Sequence, residues 1–389
     1  MVRGLYVLLA AVCAVAVSAV YAAQPILGEA GRDLGIAPDA YGWLVSVGQF
    51  GYLVGLVFLV PLGDLLDRRR LITVHLIVVA VGLGAVATAP EAPMAFAGLA
   101  TAGLFAVAVQ TTVAYAAAVA QPQERGRRLG FVTSGIVVGI LGSRLLAGAL
   151  TELWGWRSVY LVLAALAVVL AIASRILLPV DVRSSAGRYQ DLLRDGLRSF
   201  ADPVFLSRGV IAFFLFASFG TLWSGIALPL SAAPWRLSET QVGLFGLAAL
   251  AGALAAGRAG RWADAGRGNA VTGIALAALM VSWVLLGQLR WTLLLPVLGV
   301  IVLDFAVQAV HVSNQHILTE LRPGRISTAI GGYMVFYSLG SAVGAAATTG
   351  IYSAVGWAGS AVLGIAFAGA ALLTWAIGVP VVRALRPGD

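Results

Sequence analysis

The sequence contains no lysine and a single cysteine, Cys13. One cysteine closes no disulfide within a chain, so a disulfide-stapled scaffold is excluded. The absence of lysine removes the P-loop, whose G-x-x-x-x-G-K-[ST] pattern sets an ammonium on the nucleotide phosphates. The three histidines, His75, His311 and His316, form no H-E-x-x-H pair and no convincing couple with a serine. An enzyme is therefore not expected, and neither is a cofactor or bound metal. Charge is scarce too: 11% of the 389 residues are charged, against about 25% in an ordinary soluble domain.

What remains is apolar. Hydrophobic residues make up 60% of the chain, more than a soluble core of this size can hide. Apolar blocks bounded by charge, Pro or Gly fall at about 5–27, 41–62, 71–89, 93–119, 127–151, 156–178, 205–230, 239–260, 269–288, 291–318, 326–352 and 357–382. Most approach or exceed the ~20 residues that cross a ~30 Å hydrocarbon layer. The expected class is an all-α polytopic membrane protein with twelve transmembrane helices. Arg3, the first apolar run and Val20-Tyr21-Ala22-Ala23 also fit a secretory signal peptide. An uncleaved first helix is the reading adopted, because the internal repeat requires it.

The net charge of +8 comes from 25 arginines against 17 acids. In a soluble protein that balance suggests nucleic acid, but here the arginines sit in short loops and report topology. With Arg3 in the cytoplasm, twenty arginines lie inside, four (Arg32, Arg157, Arg236 and Arg290) lie outside, and Arg144 lies within a span. Both termini are thus predicted to be cytoplasmic, in a multi-pass protein of the cell (inner) membrane.

The only long connection, 179–204, divides the spans six and six and leaves bundles at 1–178 and 205–389. Tyr189, Leu192, Leu193 and Phe200 share one face of it, as expected of an amphipathic helix at the headgroup surface or, alternatively, one that binds a partner. The halves repeat. Ala108-Val109-Gln110 returns as Ala306-Val307-Gln308, Leu141-Gly142-Ser143 as Leu339-Gly340-Ser341, and Gly126-Arg127 as Gly324-Arg325, all offset by 198. Near that offset Gly155-Trp156 returns as Gly356-Trp357, and the Gly63 to Asp67 stretch as Gly260 to Asp264. Ordered matches at nearly constant offset predict two pseudo-symmetric six-helix bundles.

These features resemble the major facilitator superfamily of secondary transporters over the whole chain. The loop Gly63-Asp64-Leu65-Leu66-Asp67-Arg68-Arg69-Arg70 is similar to that family's G-x-L-x-D-R-x-G-R-R signature, without its later glycine. Gly260, Asp264 and Arg267 lie in a weaker second copy. The resemblance implies that Gly63, Asp67 and Arg68, with their counterparts, belong to a conformational gate. A glycine there would let helices approach, and a carboxylate would pair with arginine or cap a helix. The competing reading is that these charges only orient the loop. Span 5, Gly130-x8-Gly139-x3-Ser143-Arg144-x2-Ala147-Gly148, resembles the drug-exporter pattern G-x8-G-x3-G-P-x2-G-G, with Ser143, Arg144 and Ala147 replacing Gly, Pro and Gly. The run Tyr21 to Leu27, containing Gln24, looks like the end of the first helix in bacterial drug and sugar efflux members.

Polar residues inside the spans are the candidate chemistry, because a charge in mid-bilayer costs about 2.5–3.5 kcal/mol on insertion scales. Asp304 is the only acid near mid-depth. Gln308, His311 and Gln315 follow it on one helical face, while Asn314 and His316 lie off that face toward the cytoplasmic water. Asp304 as proton carrier with His311 as relay is one reading; a satisfied packing residue and a direct substrate contact are the others. Arg144 has three open roles: pairing with Asp304, holding an anionic substrate group, or snorkelling to the outer headgroups. Gln24, Gln49, Tyr52, Gln110, Trp223, Gln308, Tyr333 and Tyr337 would line a substrate cavity; the competing reading of any one of them is a satisfied helix contact.

The expected function is proton-coupled efflux of small amphipathic molecules by alternating access. The partners are then a small-molecule substrate, protons and the lipid bilayer, with no nucleic acid, and the working unit is a monomer. A proton symporter, a sugar or metabolite efflux permease on the same fold, and a non-transporting membrane sensor are the alternatives.

Overall fold

The computed structural model describes residues 2–121, 124–181, 189–190, 193–194, 202–255, 268–321 and 326–384. Among them every regular element is helical. The first half contains α1 (Val2–Tyr21), α2 (Leu27–Asp33), α3 (Trp43–Phe58), α4 (Arg68–Ala87), α5 (Ala92–Phe105), α6 (Ala108–Val119), α7 (Arg125–Trp154) and α8 (Trp156–Leu177). The second contains α9 (Pro203–Gly225), α10 (Ala227–Ser231), α11 (Glu239–Ala255), α12 (Gly268–Leu286), α13 (Leu294–Leu321) and α14 (Ile326–Ala384).

Among the described residues, ten stretches are long and apolar enough to cross a membrane. One of them, Gly331–Gly378, contains two spans, because Gly356 interrupts α14 with φ 73° and ψ −168°. The 17 residues of α11 are the twelfth. This is an all-α polytopic membrane fold, as the apolar blocks predict. Several blocks differ in detail from the unbroken helices expected of them, the second giving way after Phe58 to a 3-10 segment, Val60–Asp64. The first turns through a short 3-10 segment, Gln24–Ile26, at Pro25, the fourth breaks at Ala106–Val107, and the seventh breaks at Ile226.

Local chemistry sets the helix ends. Asp202 caps α9, its Oδ1 accepting from the amides of Val204 and Phe205 at 2.8 and 3.1 Å, with Pro203 in the first turn where its missing N–H costs nothing. Asp67 caps α4 by accepting from Arg69 N at 2.9 Å.

The repeated Gly-Trp pairs form matching corners. Gly155 and Gly356 both adopt positive φ, at 78° and 73°, with extended ψ, a region that only glycine visits freely. The tryptophan after each turns inward: Trp156 Nε1 donates to Asp33 Oδ2 at 3.0 Å, and Trp357 Nε1 to Leu286 O at 2.8 Å. Alanine at either glycine is expected to cost about 1–3 kcal/mol of backbone strain. Melting in detergent should show a loss for each single variant and a roughly additive loss for the double.

Packing separates the chain into two compact units. The first comprises 1–37, 43–193 and 238–243, and the second 38–42, 194–237 and 244–389. In the first unit α1 lies along α7, α3 along α5, and α4 against α5 and α8. The α1–α7 contact depends on Gly135 and Gly139: a Cβ on them would stand 2.2 Å from Ala10 O and 2.4 Å from Ala14 O. In the second unit α9 lies along α14, and α12 packs on α13 and α14. Here Gly340 and Gly344 repeat the device, with built Cβ positions 2.0 Å from Phe213 O and 2.0 Å from Ala217 O. Small residues four apart let two backbones meet at van der Waals distance, which is how helices associate where lipid removes the hydrophobic drive.

Large apolar side chains such as Val81, Val138, Ile172, Ile176, Ile274 and Ile377 are exposed. They are suited to lipid contact. Cys13 is completely buried in α1, its thiol directed at Val109 O at 4.0 Å.

Candidate functional site

In the first unit the polar side chains gather inside. The 3-10 turn that ends α1 directs Gln24 inward, and Arg144, two-thirds of the way along α7, meets it: Nε and Nη2 donate to Gln24 Oε1 at 3.2 and 3.0 Å. Both residues are essentially inaccessible, at 0% and 1% exposure. Arg144 therefore does not snorkel to the headgroups, because its own bundle supplies the acceptor. Tyr21 lies beside Gln49 and Arg144. Gln49 and Tyr52, both buried on α3, are followed by a hydrogen bond from Gln110 Nε2 on α6 to the Tyr52 hydroxyl at 2.6 Å. The structure thus brings Gln24, Gln49, Tyr52, Gln110 and Arg144 into the polar interior of one unit.

The second unit has its own polar core, centred on a residue that sequence reasoning missed. The charge count places Arg208 with the loop arginines, yet it is 1% exposed within α9. Its Nη1 donates to Asn314 Oδ1 at 3.2 Å and its Nη2 to Asn269 Oδ1 at 2.8 Å. Asn314 is likewise not in water as expected but fully buried. The physical reason is common to both: they are oriented to one another across three helices, so each satisfies part of what the other would lose on leaving water.

From Asn314 the network continues to Tyr333, whose hydroxyl lies beside Asn314 and 3.2 Å from His311 Nδ1. His311 Nε2 in turn faces Gln315 Nε2 at 3.1 Å. Which ring nitrogen donates and which accepts follows the tautomer of His311. Aromatic rings line the same region: Phe216 lies 5.4 Å from His311 and 3.9 Å from Tyr337, and Phe219 links Phe216 to Trp223 at 5.8 and 6.4 Å. Of the predicted cavity residues, Trp223, Tyr333 and Tyr337 are buried and Gln308 is half-buried. Asp304 is 4% exposed, ten residues into α13, which is about 15 Å along the helix axis.

The family model described as Major Facilitator Superfamily matches residues 7–233. The chain belongs to that superfamily. It is 36% identical over 372 residues to the uncharacterized transporter YgaY of Escherichia coli (strain K12), covering 95% of this chain and 94% of that protein. Among solved structures, a point mutant of the nucleoside transporter NupG superposes with a TM-score of 0.77 at 12% identity, covering 97% of this chain and 99% of that one. A bacterial homolog of the human lysosomal transporter Spinster, described as inward-facing and unoccupied, gives 0.71 at 15% identity, covering 97% and 94%. At such identities the structural likeness speaks for the fold.

The loop that resembles the superfamily's signature is a compact ionic knot at one end of the first unit. Arg68, 6% exposed, pairs with Asp64 at 3.1 Å and Asp181 at 3.7 Å, and reaches Ala114 O at 3.4 Å. Asp67 caps α4 and also accepts from Asp181 N at 3.3 Å. Arg69 donates to Arg175 O, and Tyr115 hydroxyl to Pro179 O at 2.9 Å. The α3–α4 loop is thereby tied to α6, α8 and the first residues of the connection, where Tyr189 hydroxyl also bonds Phe58 O at 2.7 Å. Asp181 is a partner the motif does not announce. Burial, and then the Asp67 carboxylate beside it, hold its carboxyl above the usual carboxylate range.

Gly63 serves no close helix approach here: a Cβ would meet only Arg68 Nε, at 3.8 Å. Close approach falls instead to the α7 glycines. In the exporter-like pattern Gly139 is in tight contact, whereas Gly130 has nothing within 4 Å. Gly260, Asp264 and Arg267 of the second copy lie outside the described residues, as do Leu192 and Phe200 of the connection.

Proposed function

We propose that this superfamily member is a secondary active exporter of small amphipathic molecules, exchanging them for protons by alternating access. The observation that carries this reading is Asp304, a carboxyl buried near the middle of an apolar helix. A carboxyl in such surroundings is retained at a cost in insertion energy and is suited to taking up and releasing a proton during turnover. His311, Tyr333 and Gln315 form a hydrogen-bonded group on the same helix face and the facing helix, and they serve as a relay. The polar interior of the first unit, with Gln24, Gln49, Tyr52, Gln110 and Arg144, supplies hydrogen-bonding contacts for an amphipathic ligand. The exporter-like glycine pattern of α7 supports the outward direction. The arginine asymmetry supports cytoplasmic termini in the cell membrane, and the protein acts as a monomer. The ionic knot around Arg68 and Asp67 is the gate, its bonds exchanged between states.

The test uses purified protein in liposomes loaded with a pH-sensitive dye. Adding compounds found by a growth screen in a host stripped of its own efflux pumps should move protons across the membrane, with the opposite sign to substrate movement. Substrate flux with no accompanying proton movement would overturn the coupling. Co-directional movement would overturn the exchange.

A further inference from the structure

Arg208 is a buried cation whose hydrogen-bond partners among the described residues are neutral. Its guanidinium contacts two amide oxygens, Asn314 Oδ1 and Asn269 Oδ1, and its Nε meets no acceptor. No carboxylate forms an ion pair with it among the described residues. A guanidinium does not shed its proton inside a protein, so the charge remains. Amide dipoles offset only part of the cost of burying it.

The donor balance points the same way. Asn314 Nδ2, on the amide that already binds Arg208, is a second buried donor that completes no hydrogen bond among the described residues, the Tyr333 hydroxyl being the group beside it. The nearby acceptors are already engaged: Asn269 Oδ1 also receives Trp375 Nε1 at 3.1 Å, and Asn314 Oδ1 already receives Arg208 Nη1. Excess positive charge combined with excess N–H groups is the arrangement that a two-oxygen anion satisfies, in the manner of bidentate arginine–carboxylate pairing. Through Tyr333 and His311 this point connects to Phe216 and Tyr337, an aromatic surface of the same unit.

We propose that Arg208, with Asn314 and Asn269, is the binding subsite for the carboxylate of an aromatic organic acid, whose ring lies against Phe216, His311 and Tyr337. The proposal rests on the transporter reading above and names its substrate class, but it does not depend on proton coupling. The carboxylate would take the free Nε–H and the Asn314 N–H.

The experiment is thermal melting of the purified full chain in detergent with three probes sharing one ring system: 2-naphthoate, 2-naphthamide and 2-naphthylmethylammonium. Only the naphthoate should raise the melting temperature in a saturable way, and Arg208→Gln should weaken that response at least tenfold. If Arg208→Gln does not fold, Asn314→Asp serves, because it sets a carboxylate beside the guanidinium and keeps the cluster's shape. It should abolish the naphthoate response while melting no lower than the parent. Equal responses to all three probes, no response to any, or a parent-like naphthoate response in Asn314→Asp would each overturn the proposal. A naphthoate response in a protein that moves no protons would leave this subsite standing and fail only the coupling.

Discussion

Asp304→Asn is expected to abolish proton-driven transport, a loss of more than tenfold, while leaving substrate-for-substrate exchange in place. The reasoning follows from what the substitution removes. Asparagine keeps the size, the carbonyl oxygen and one hydrogen-bonding arm of aspartate, but it cannot carry a proton on and off. If the carboxyl at position 304 links the proton gradient to the conformational cycle, the variant still binds and reorients with substrate but has no gradient to use. Two assays on the same liposomes separate these outcomes. Accumulation driven by an imposed pH difference should vanish, and counterflow of labelled against unlabelled substrate should persist. Asp304→Glu, which keeps the titrating group on a longer arm, should recover part of the driven transport. Undiminished pH-driven accumulation by Asp304→Asn would sink the role assigned to Asp304. Loss of both activities with a lowered melting temperature would instead make it a packing residue.

The second large effect is on stability. The double variant Gly340→Ala, Gly344→Ala should remove most of the monodisperse protein recovered in detergent. Each new methyl would have to occupy a position 2.0 Å from a backbone oxygen of α9, whereas even a close carbon–oxygen contact needs about 3.3 Å. A backbone atom has no rotamer by which to move aside, so α9 and α14 must separate by more than an ångström over the length that contains both residues. Overpacking of this kind typically costs about 1–3 kcal/mol per site. Two sites on one seam approach the whole stability of a marginal fold. Gly84→Ala is the internal comparison. Nothing lies within 4 Å of its built Cβ, and alanine in a helix gains about 0.5–1 kcal/mol over glycine. That variant should melt at the parental temperature or slightly above. Equal recovery of the double variant and Gly84→Ala would refute the seam.

Much of the architecture is readable from residue order because the bilayer imposes one rule on every span: the backbone must satisfy itself, so each long apolar block is a helix. The Gly-Trp repeat is legible for a similar reason, since a turn that only glycine can make leaves a glycine in both halves. Arg208 is not legible. It stands five residues after Pro203, where counting charges by loop gives an interfacial arginine, and only the arrival of Asn269 and Asn314 from distant helices makes it a core residue. An asparagine at the start of α12 and another in the last third of α13 are the available signal. Periodicity misplaces Asn314, because a single polar stripe assumes one wet face, whereas α13 presents polar groups to a neighbouring helix as well. Asp181 escapes because it lies outside the motif whose arginine it binds. The roles of Gly130 and Gly139 differ for a reason no pattern contains: only one of them has a facing backbone.

The burial of Cys13 gives the protein a practical property. Its thiol is sealed beneath α6 and the chain offers no lysine side chain, so maleimide and amine-reactive reagents alike find no native side-chain target on the folded molecule. A cysteine introduced anywhere on the surface would be the one reactive thiol, with the native sequence otherwise intact. Pairs of spectroscopic labels can therefore be placed to follow the motions of the transport cycle without first engineering a background free of competing sites.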